Sequence, residues 1–428
     1  MDEILTTATD LVTQNLTEES LMTSSLNATL GSSSVDGMIN PGASSGFTAI
    51  ISFMDVYVTP VIIVVGVAGN TCCFVVYVAT PHLWRQSSSV YLAFFAAVNS
   101  GFLVSLFFVW ISWEGMQVFH KTGWCQTTRF VKDVCYFLSA WTVVSFTVER
   151  WIVVYLPLKR HRLCTRRRAV TVMLLLTVFA LCFYSHDIWT TTSVRYGNFE
   201  VCITSGRREF KTFLDVVKVL DVILVVCVPL LGIIVLSSLI GIKICRYTSP
   251  RPPPHRTSTT GARNAGPGSG YAAAPSRSRY DSYELSSHMG SRTAPSHVSN
   301  MAASSRTWRV TTRRHVTQLR ITRALLIVST VFVILTFPSS AMKINTIVID
   351  LSHRKFNPPA AAILWYQLIE LLNYVNFSSN FFLLSACSRS FRHALKRMLR
   401  RFWRKLRNCT ARRFNDCCDA LSSKSDEY

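Results

Sequence analysis

A chain of 428 residues is long enough for two or three soluble domains, but 49 % of it is hydrophobic and only 16 % is charged. Mean hydropathy is positive, at +0.28, a balance that argues against a soluble protein and for a surface facing lipid. The formal net charge of +22 raises nucleic-acid binding, which needs a basic face on a soluble domain. Here residues 1–84 contain no Lys or Arg, and the bases gather at 150–168, 243–324 and 389–413. Nucleic acid is therefore not an expected partner.

In chain order, residues 1–50 read as an exposed, Ser/Thr-rich tail. Its start, Met1-Asp2-Glu3, lacks a basic segment followed by an apolar core, so the first span rather than a cleaved signal is expected to direct insertion. Sequons at Asn15 (Asn15-Leu16-Thr17) and Asn27 (Asn27-Ala28-Thr29) are expected to be glycosylated. Residues 51–247 hold five apolar stretches, near 52–79, 89–112, 126–156, 169–190 and 212–244. Each reaches the roughly 20 residues that a helix needs to cross the hydrocarbon core. Residues 248–312 differ in kind: Arg251-Pro252-Pro253-Pro254 and Gly266-Pro267-Gly268 stand among Ser, Arg and Ala. Such a segment cannot bury a core, so a disordered cytoplasmic loop open to phosphorylation is expected.

Residues 313–388 hold two further stretches, near 321–347 and 361–386. In 389–428, Phe391, Ala394, Leu395, Met398, Leu399, Phe402, Trp403 and Leu406 recur at helical spacing opposite Arg and Lys. This predicts an amphipathic helix along the inner leaflet, with the lipid bilayer as partner; a calmodulin-binding helix is the alternative. Short loops retain Lys and Arg on the cytoplasmic side, which places the amino terminus outside and, after seven spans, the basic carboxyl end inside. The expected fold class is all-α membrane: a seven-transmembrane helix bundle followed by a short amphipathic surface helix. No 20–50-residue repeat and no metal or nucleophile cluster is visible, so neither enzyme activity nor a cofactor is expected.

Topology sorts the 13 cysteines. Only Cys125 and Cys202 fall on the oxidising side, where a single bridge would tie the top of the third span to the loop after the fourth; two free outer thiols are the alternative. Cys417 and Cys418, past the surface helix, are candidates for palmitoylation or plain tail cysteines.

In the third span Lys132, Tyr136, Ser139, Val143, Phe146 and Arg150 fall on one helical face. The stripe is about 27 Å long, close to the hydrocarbon thickness. It links a cation at each end, and both would be costly facing lipid, so the stripe is expected to face the bundle interior. Glu370, Asn373, Asn376 and Asn380 on the seventh span, Lys343 on the sixth, and Lys218 with Asp221 on the fifth supply further interior polarity. A cavity lined by both signs suits a ligand with polar or charged ends, and Lys132, Tyr136, Lys343, Glu370, Asp221 and Trp113 are its expected contacts. Mutual pairing, such as Lys132 with Glu370, is the alternative. Asp133 lies off the stripe as a partner for Lys132 or Arg129.

Several features stand in one order: Gly69-Asn70, Cys125, Glu149-Arg150-Trp151, Pro157-Leu158, Pro229, Phe332 with Pro338, and Asn380 followed by Phe391-Arg392. Together they resemble the class A (rhodopsin-like) G-protein-coupled receptors over roughly residues 52–406. Ser88-Ser89-Val90-Tyr91-Leu92-Ala93, Gly123-Trp124-Cys125-Gln126 and Phe146-Thr147-Val148-Glu149-Arg150 are similar to invertebrate neuropeptide receptors related to the thyrotropin-releasing-hormone, FMRFamide and CNMamide receptor groups. The resemblance implies a plasma-membrane receptor for an extracellular peptide ligand. It further implies that Arg150, held by Glu149, is released to meet a heterotrimeric G protein beside the Pro157 loop, with arrestin and receptor kinases as further partners. Lys132 stands where amine receptors carry Asp, and Tyr374 where opsins carry the retinal Lys, so neither ligand is expected. Asn99 replaces the second-span Asp of the internal sodium site, Thr336 the sixth-span Trp, and Leu384 the Tyr that closes the seventh-span motif. A receptor-like protein that binds ligand but signals weakly is therefore the alternative, and a channel or transporter a more distant one for want of paired repeats.

Overall fold

The computed structural model describes residues 49–50, 53–113, 121, 123–196, 199–204, 208–248, 297–352 and 360–425. Two compact units, residues 1–244 with 319–428 and residues 245–318, divide the chain.

The first unit is a helical bundle. Helix α1 spans Met54–Ala79, α2 Ser87–Trp113, α3 Trp124–Tyr155 and α4 Arg166–Phe183. Beyond α4, a 3-10 turn (Tyr184–His186) and one helical turn (Asp187–Thr190) lead into a two-stranded antiparallel hairpin, β1 (Thr191–Tyr196) and β2 (Phe199–Thr204). Helix α5 begins at Arg208–Asp221, passes through a π turn at Val222–Cys227 and continues as Val228–Thr248. Pro229 has no N–H to give an ordinary helical ladder, and the widened turn beside it accommodates that loss. The freed geometry is used, since Trp141 Nε1 donates to the Leu224 carbonyl at 3.0 Å and fastens α3 to α5.

Helix α6 runs from His297 to Leu351 with Pro338 inside it. It begins within the stretch expected to be an irregular loop, and 249–296 lie outside the described residues. The sequence explains the earlier start: Pro295 is the last proline before the span, so nothing after it forbids an α-helix. Helix α7 comprises Ala360–Ser378 and, after a break at Ser379, Asn380–Cys387; α8 is Arg389–Ser425, longer than the expected 391–406.

Six helices among the described residues are long and apolar enough to cross a membrane, α1 to α6 in their apolar parts. Helix α7 is more polar because it carries Gln367, Glu370, Asn373, Asn376 and Asn380. Four of these five are buried, Asn380 to 1 % exposure, so its polar side turns toward the other helices. The apolar window of α2 is 61 % buried and that of α4 only 22 %, which makes α2 central and α4 peripheral. Peripheral faces expose Leu174, Leu175, Leu231, Ile334 and Phe337, a surface suited to lipid rather than water.

Close helix approach explains one glycine. A Cβ on Gly66 of α1 would stand 2.5 Å from Leu103 Cδ1 and 2.7 Å from Ser378 Cβ, so only glycine lets α1 sit between α2 and α7. At the seam, Asn70 Nδ2 donates to the Phe377 carbonyl at 2.8 Å and Asn380 Nδ2 to Asn70 Oδ1 at 3.4 Å.

Candidate functional site

Helix α3 organises both ends of the bundle. Its first turn begins at Gly123, whose φ of 91° suits glycine, and the Gly123 N–H donates to Gln126 Oε1 at 2.6 Å. Gln126 Nε2 in turn donates to the Thr191 carbonyl at 3.2 Å. The Cys125–Cys202 disulfide joins the same turn to β2, with Cα atoms 5.7 Å apart and both cysteines fully buried. The hairpin is thus held over one end of the bundle by a covalent bond and a hydrogen bond.

Beside the ends of the hairpin, at Thr190 and Thr204, lies a solvent-open cavity of about 170 Å³. Typical small-molecule pockets run to roughly 300–1,000 Å³, so this one admits a side chain or a chain end rather than a folded partner. Residues of α3 (Arg129, Asp133, Tyr136), the α4 extension (Tyr184, His186, Asp187), α5 (Lys218, Asp221) and α6 (Lys343) line it. Arg129 Nε lies 3.9 Å from Asp133 Oδ2. Tyr184 donates a short hydrogen bond to Asp221, joining the end of α4 to α5. Lys343 Nζ sits 4.0 Å above the Tyr136 ring, a cation–π contact between α6 and α3.

Tyr136 passes the contact inward. Its ring lies 5.8 Å from Phe377 and 6.1 Å from Phe102, and those two stack at 3.8 Å with an 11° interplanar angle. Below this aromatic layer are neutral polar groups: Ser139 donates to Asn99 Oδ1 at 2.9 Å, and Asn376 Nδ2 to Thr336 Oγ1 at 3.1 Å. Thr336, standing where a Trp was expected from the resemblance, instead accepts a hydrogen bond from α7.

At the far end of α3, Glu149 and Arg150 are 5 % and 3 % exposed. Arg150 Nη2 donates to Glu149 Oε1, and also to Ser88 Oγ at 2.6 Å, while Ser88 donates to Glu149 at 3.0 Å. Arg150 Nε and Nη1 have no hydrogen-bond partner. One turn deeper, Thr147 and Ser329 hydroxyls meet at 3.0 Å and join α3 to α6. The loop at Pro157 brings Cys164 Sγ to 4.0 Å from the Glu149 carbonyl. Burial and the Glu149 carboxylate push the Cys164 thiol pKa up from its ordinary value.

Of the expected contacts, Tyr136, Lys343 and Asp221 do line the cavity, whereas Lys132 and Glu370 do not. The cavity opens on the side of α3 carrying 129, 133 and 136, a face rotated from the one through Lys132, and only Tyr136 belongs to both. Lys132 is half-buried and acts through space on Asp187, and Glu370 likewise on Tyr136. Asp133 pairs with Arg129 and is itself a cavity residue. Sequence reasoning missed Tyr184, His186 and Asp187; the available signal was a His-Asp pair at the end of an apolar span, where charge is expensive. The side chains of Trp113, Cys417 and Cys418, and all of Asn15 and Asn27, lie outside the described residues.

A helical bundle with lipid-suited faces, a capped cavity at one end and a buried arginine at the other defines a multi-pass membrane protein of receptor type. Residues 69–381 match the family model described as 7 transmembrane receptor (rhodopsin family), and the chain belongs to that family, so α1 to α7 form its seven-transmembrane bundle. It is similar to "Neuropeptide receptor 15" of Caenorhabditis elegans, 25 % identical over 164 residues, covering 35 % of this chain and 47 % of that protein. It is also similar to "Neuropeptide receptor 22" of the same organism, 24 % identical over 192 residues, covering 42 % and 43 % respectively. The chain thus spans less than half the length of these curated relatives.

Proposed function

We propose that the protein is a plasma-membrane receptor for an extracellular peptide and signals to a heterotrimeric G protein. The observation that carries this reading is Arg150. A guanidinium 3 % exposed with two donor groups unused is costly, and its burial is understandable if those donors serve a second state. Family membership supports the same reading, as do the printed names of its relatives. The disulfide supports an oxidising, extracellular compartment at the cavity end. The basic residues beyond α3, α5 and α7 support a cytoplasmic opposite end.

The ligand enters below the hairpin and bears on Lys343 and Tyr136, which tie α6 to α3. Moving the Tyr136 ring disturbs Phe377, whose carbonyl holds Asn70, and so the α1–α7 seam. Outward movement of α6 below Pro338 separates Ser329 from Thr147 and opens the Arg150 end to the G protein beside the Pro157 loop. A ligand drives this only through its higher affinity for the open state. Lys132, Glu370 and Trp113 are further ligand contacts in this proposal. Glycans on Asn15 and Asn27, palmitates on Cys417 and Cys418, phosphorylation by receptor kinases with arrestin capture, and docking of α8 on anionic lipid complete it.

A second reading, ligand binding with weak signalling, rests on Thr336, which binds Asn376 where an aromatic lever was expected. Cells expressing the chain and Arg150→Ala at matched surface density, challenged with a neuropeptide library, separate the readings. Wild type should respond through a G protein and Arg150→Ala should lose most of the response. An equal response from both would sink the role given to Arg150, and binding without any response would favour the second reading.

A further inference from the structure

Resting on the receptor reading, we propose that Asp187 forms a subsite for a cationic group of the peptide, a guanidinium or an ammonium. The cavity's other acids are each engaged in a visible way, Asp133 by Arg129 and Asp221 by Tyr184; of its cations, Lys343 sits on the Tyr136 ring and Lys218 lines the α5 side. Asp187 is the exception. It is 5 % exposed, lines the cavity, and its Oδ2 has no hydrogen-bond partner. Its Oδ1 has only His186 Nε2, at 3.4 Å.

Histidine chemistry makes that contact a poor one. His186 Nδ1 lies 2.8 Å from the Phe183 carbonyl, which can only accept, so Nδ1 carries the ring proton. In the neutral ring Nε2 then presents a lone pair to the Asp187 carboxylate. Arg129 and Lys132 of α3 act on Asp187 only through space, and Asp133 and Asp221 oppose its charge. A buried carboxylate without a donor is costly, and a donor brought by a ligand removes the cost. Guanidinium and ammonium supply that donor together with the opposite charge. Both fit a cavity with room for one extended side chain or chain end. Thr204, at the end of β2, lines the same cavity, so the bound group lies beside a strand anchored at Cys125. Small side-chain rotations on binding are sufficient to bring donor and carboxylate together.

The probe is a set of pools of synthetic amidated hexapeptides, otherwise identical, carrying arginine or its neutral isostere citrulline at one position. Fluorescent binding and G-protein activation are both read on cells displaying the full chain, Asp187→Asn or Asp187→Glu at equal surface density. Arginine pools should exceed citrulline pools in potency at least about tenfold on wild type and on Asp187→Glu. On Asp187→Asn that preference should vanish, while responses to citrulline pools remain. Signalling by wild type that ignores the arginine-to-citrulline change overturns the subsite alone, as does a preference that survives Asp187→Asn. Binding that shows the arginine preference without signalling overturns the receptor reading and supports the subsite. Absence of both binding and signalling overturns both. Loss of surface display by Asp187→Asn, with Asp187→Glu displayed but indifferent to arginine, also overturns the subsite.

Discussion

Thr147→Val tests whether the hydroxyl contact between α3 and α6 holds the closed state. Valine keeps the shape of threonine and removes one proton and one acceptor. Both hydroxyls are 1 % exposed, so no solvent replaces what is lost. The magnitude follows from counting protons. Thr147 Oγ1 has the Val143 carbonyl at 2.7 Å, Ser329 Oγ has the Leu325 carbonyl at 3.0 Å, and the two hydroxyls are 3.0 Å apart. Three contacts share two protons, so the interhelical bond forms only when one hydroxyl releases its own helix's carbonyl. A net hydrogen bond is worth about 0.5–1.5 kcal/mol, and this competition places the link near the lower end, at about 0.5–1 kcal/mol. If the link exists only in the closed state, the open fraction rises by about two- to fivefold. Basal G-protein activation per receptor at the surface is the readout. Ser329→Ala should raise it similarly, and the double variant no further, because both remove one bond. Unchanged basal activity in Thr147→Val, or fully additive effects in the double variant, would refute the latch.

Three further outcomes are expected. Gly66→Ala brings a methyl group against Leu103 and the Ser378 backbone at 3.1 Å, and should destabilise detergent-solubilised protein by about 1–3 kcal/mol in thermal unfolding; an unchanged melting temperature would contradict the α1–α2–α7 packing. Asn99→Asp places a carboxylate beside Ser139, so sodium chloride should raise the melting temperature of the variant more than potassium chloride does, with wild type indifferent to the choice of cation; equal behaviour of the two would show that this residue does not control cation binding. The raised Cys164 pKa leaves little thiolate at neutral pH, so iodoacetamide should label it more slowly than exposed Cys245, with a rate still rising above the pH at which ordinary thiols level off. Comparable rates at pH 7.5, read by peptide mass spectrometry, would argue against burial of the Cys164 thiol beside Glu149.

Some of this was written in the linear chain. Apolar runs of span length, no Lys or Arg through residue 84, and the register of Cys125, Arg150, Pro229 and Pro338 indicate a seven-span bundle. Each depends on local composition or on lipid and water acting along one axis. The division of thiols between two compartments likewise pointed to Cys125 with Cys202, and the bridge is present.

The cavity was less legible because it depends on how helices rotate about their axes. Sequence periodicity identified a polar stripe on α3 through Lys132, but two polar faces overlap there and spacing cannot say which one meets α4, α5 and α6. Packing selected the face of Arg129, Asp133 and Tyr136. Nor does spacing place Tyr184 against Asp221, or leave Asp187 without a donor; those relations join residues of different helices. The start of α6 at His297 shows the opposite error, a loop composition extended past the last proline that justified it. Sequence alone determined the class of protein, because crossing a bilayer constrains every segment separately. Tertiary structure alone decided which charges face one another, because that depends on the angles at which separate helices meet.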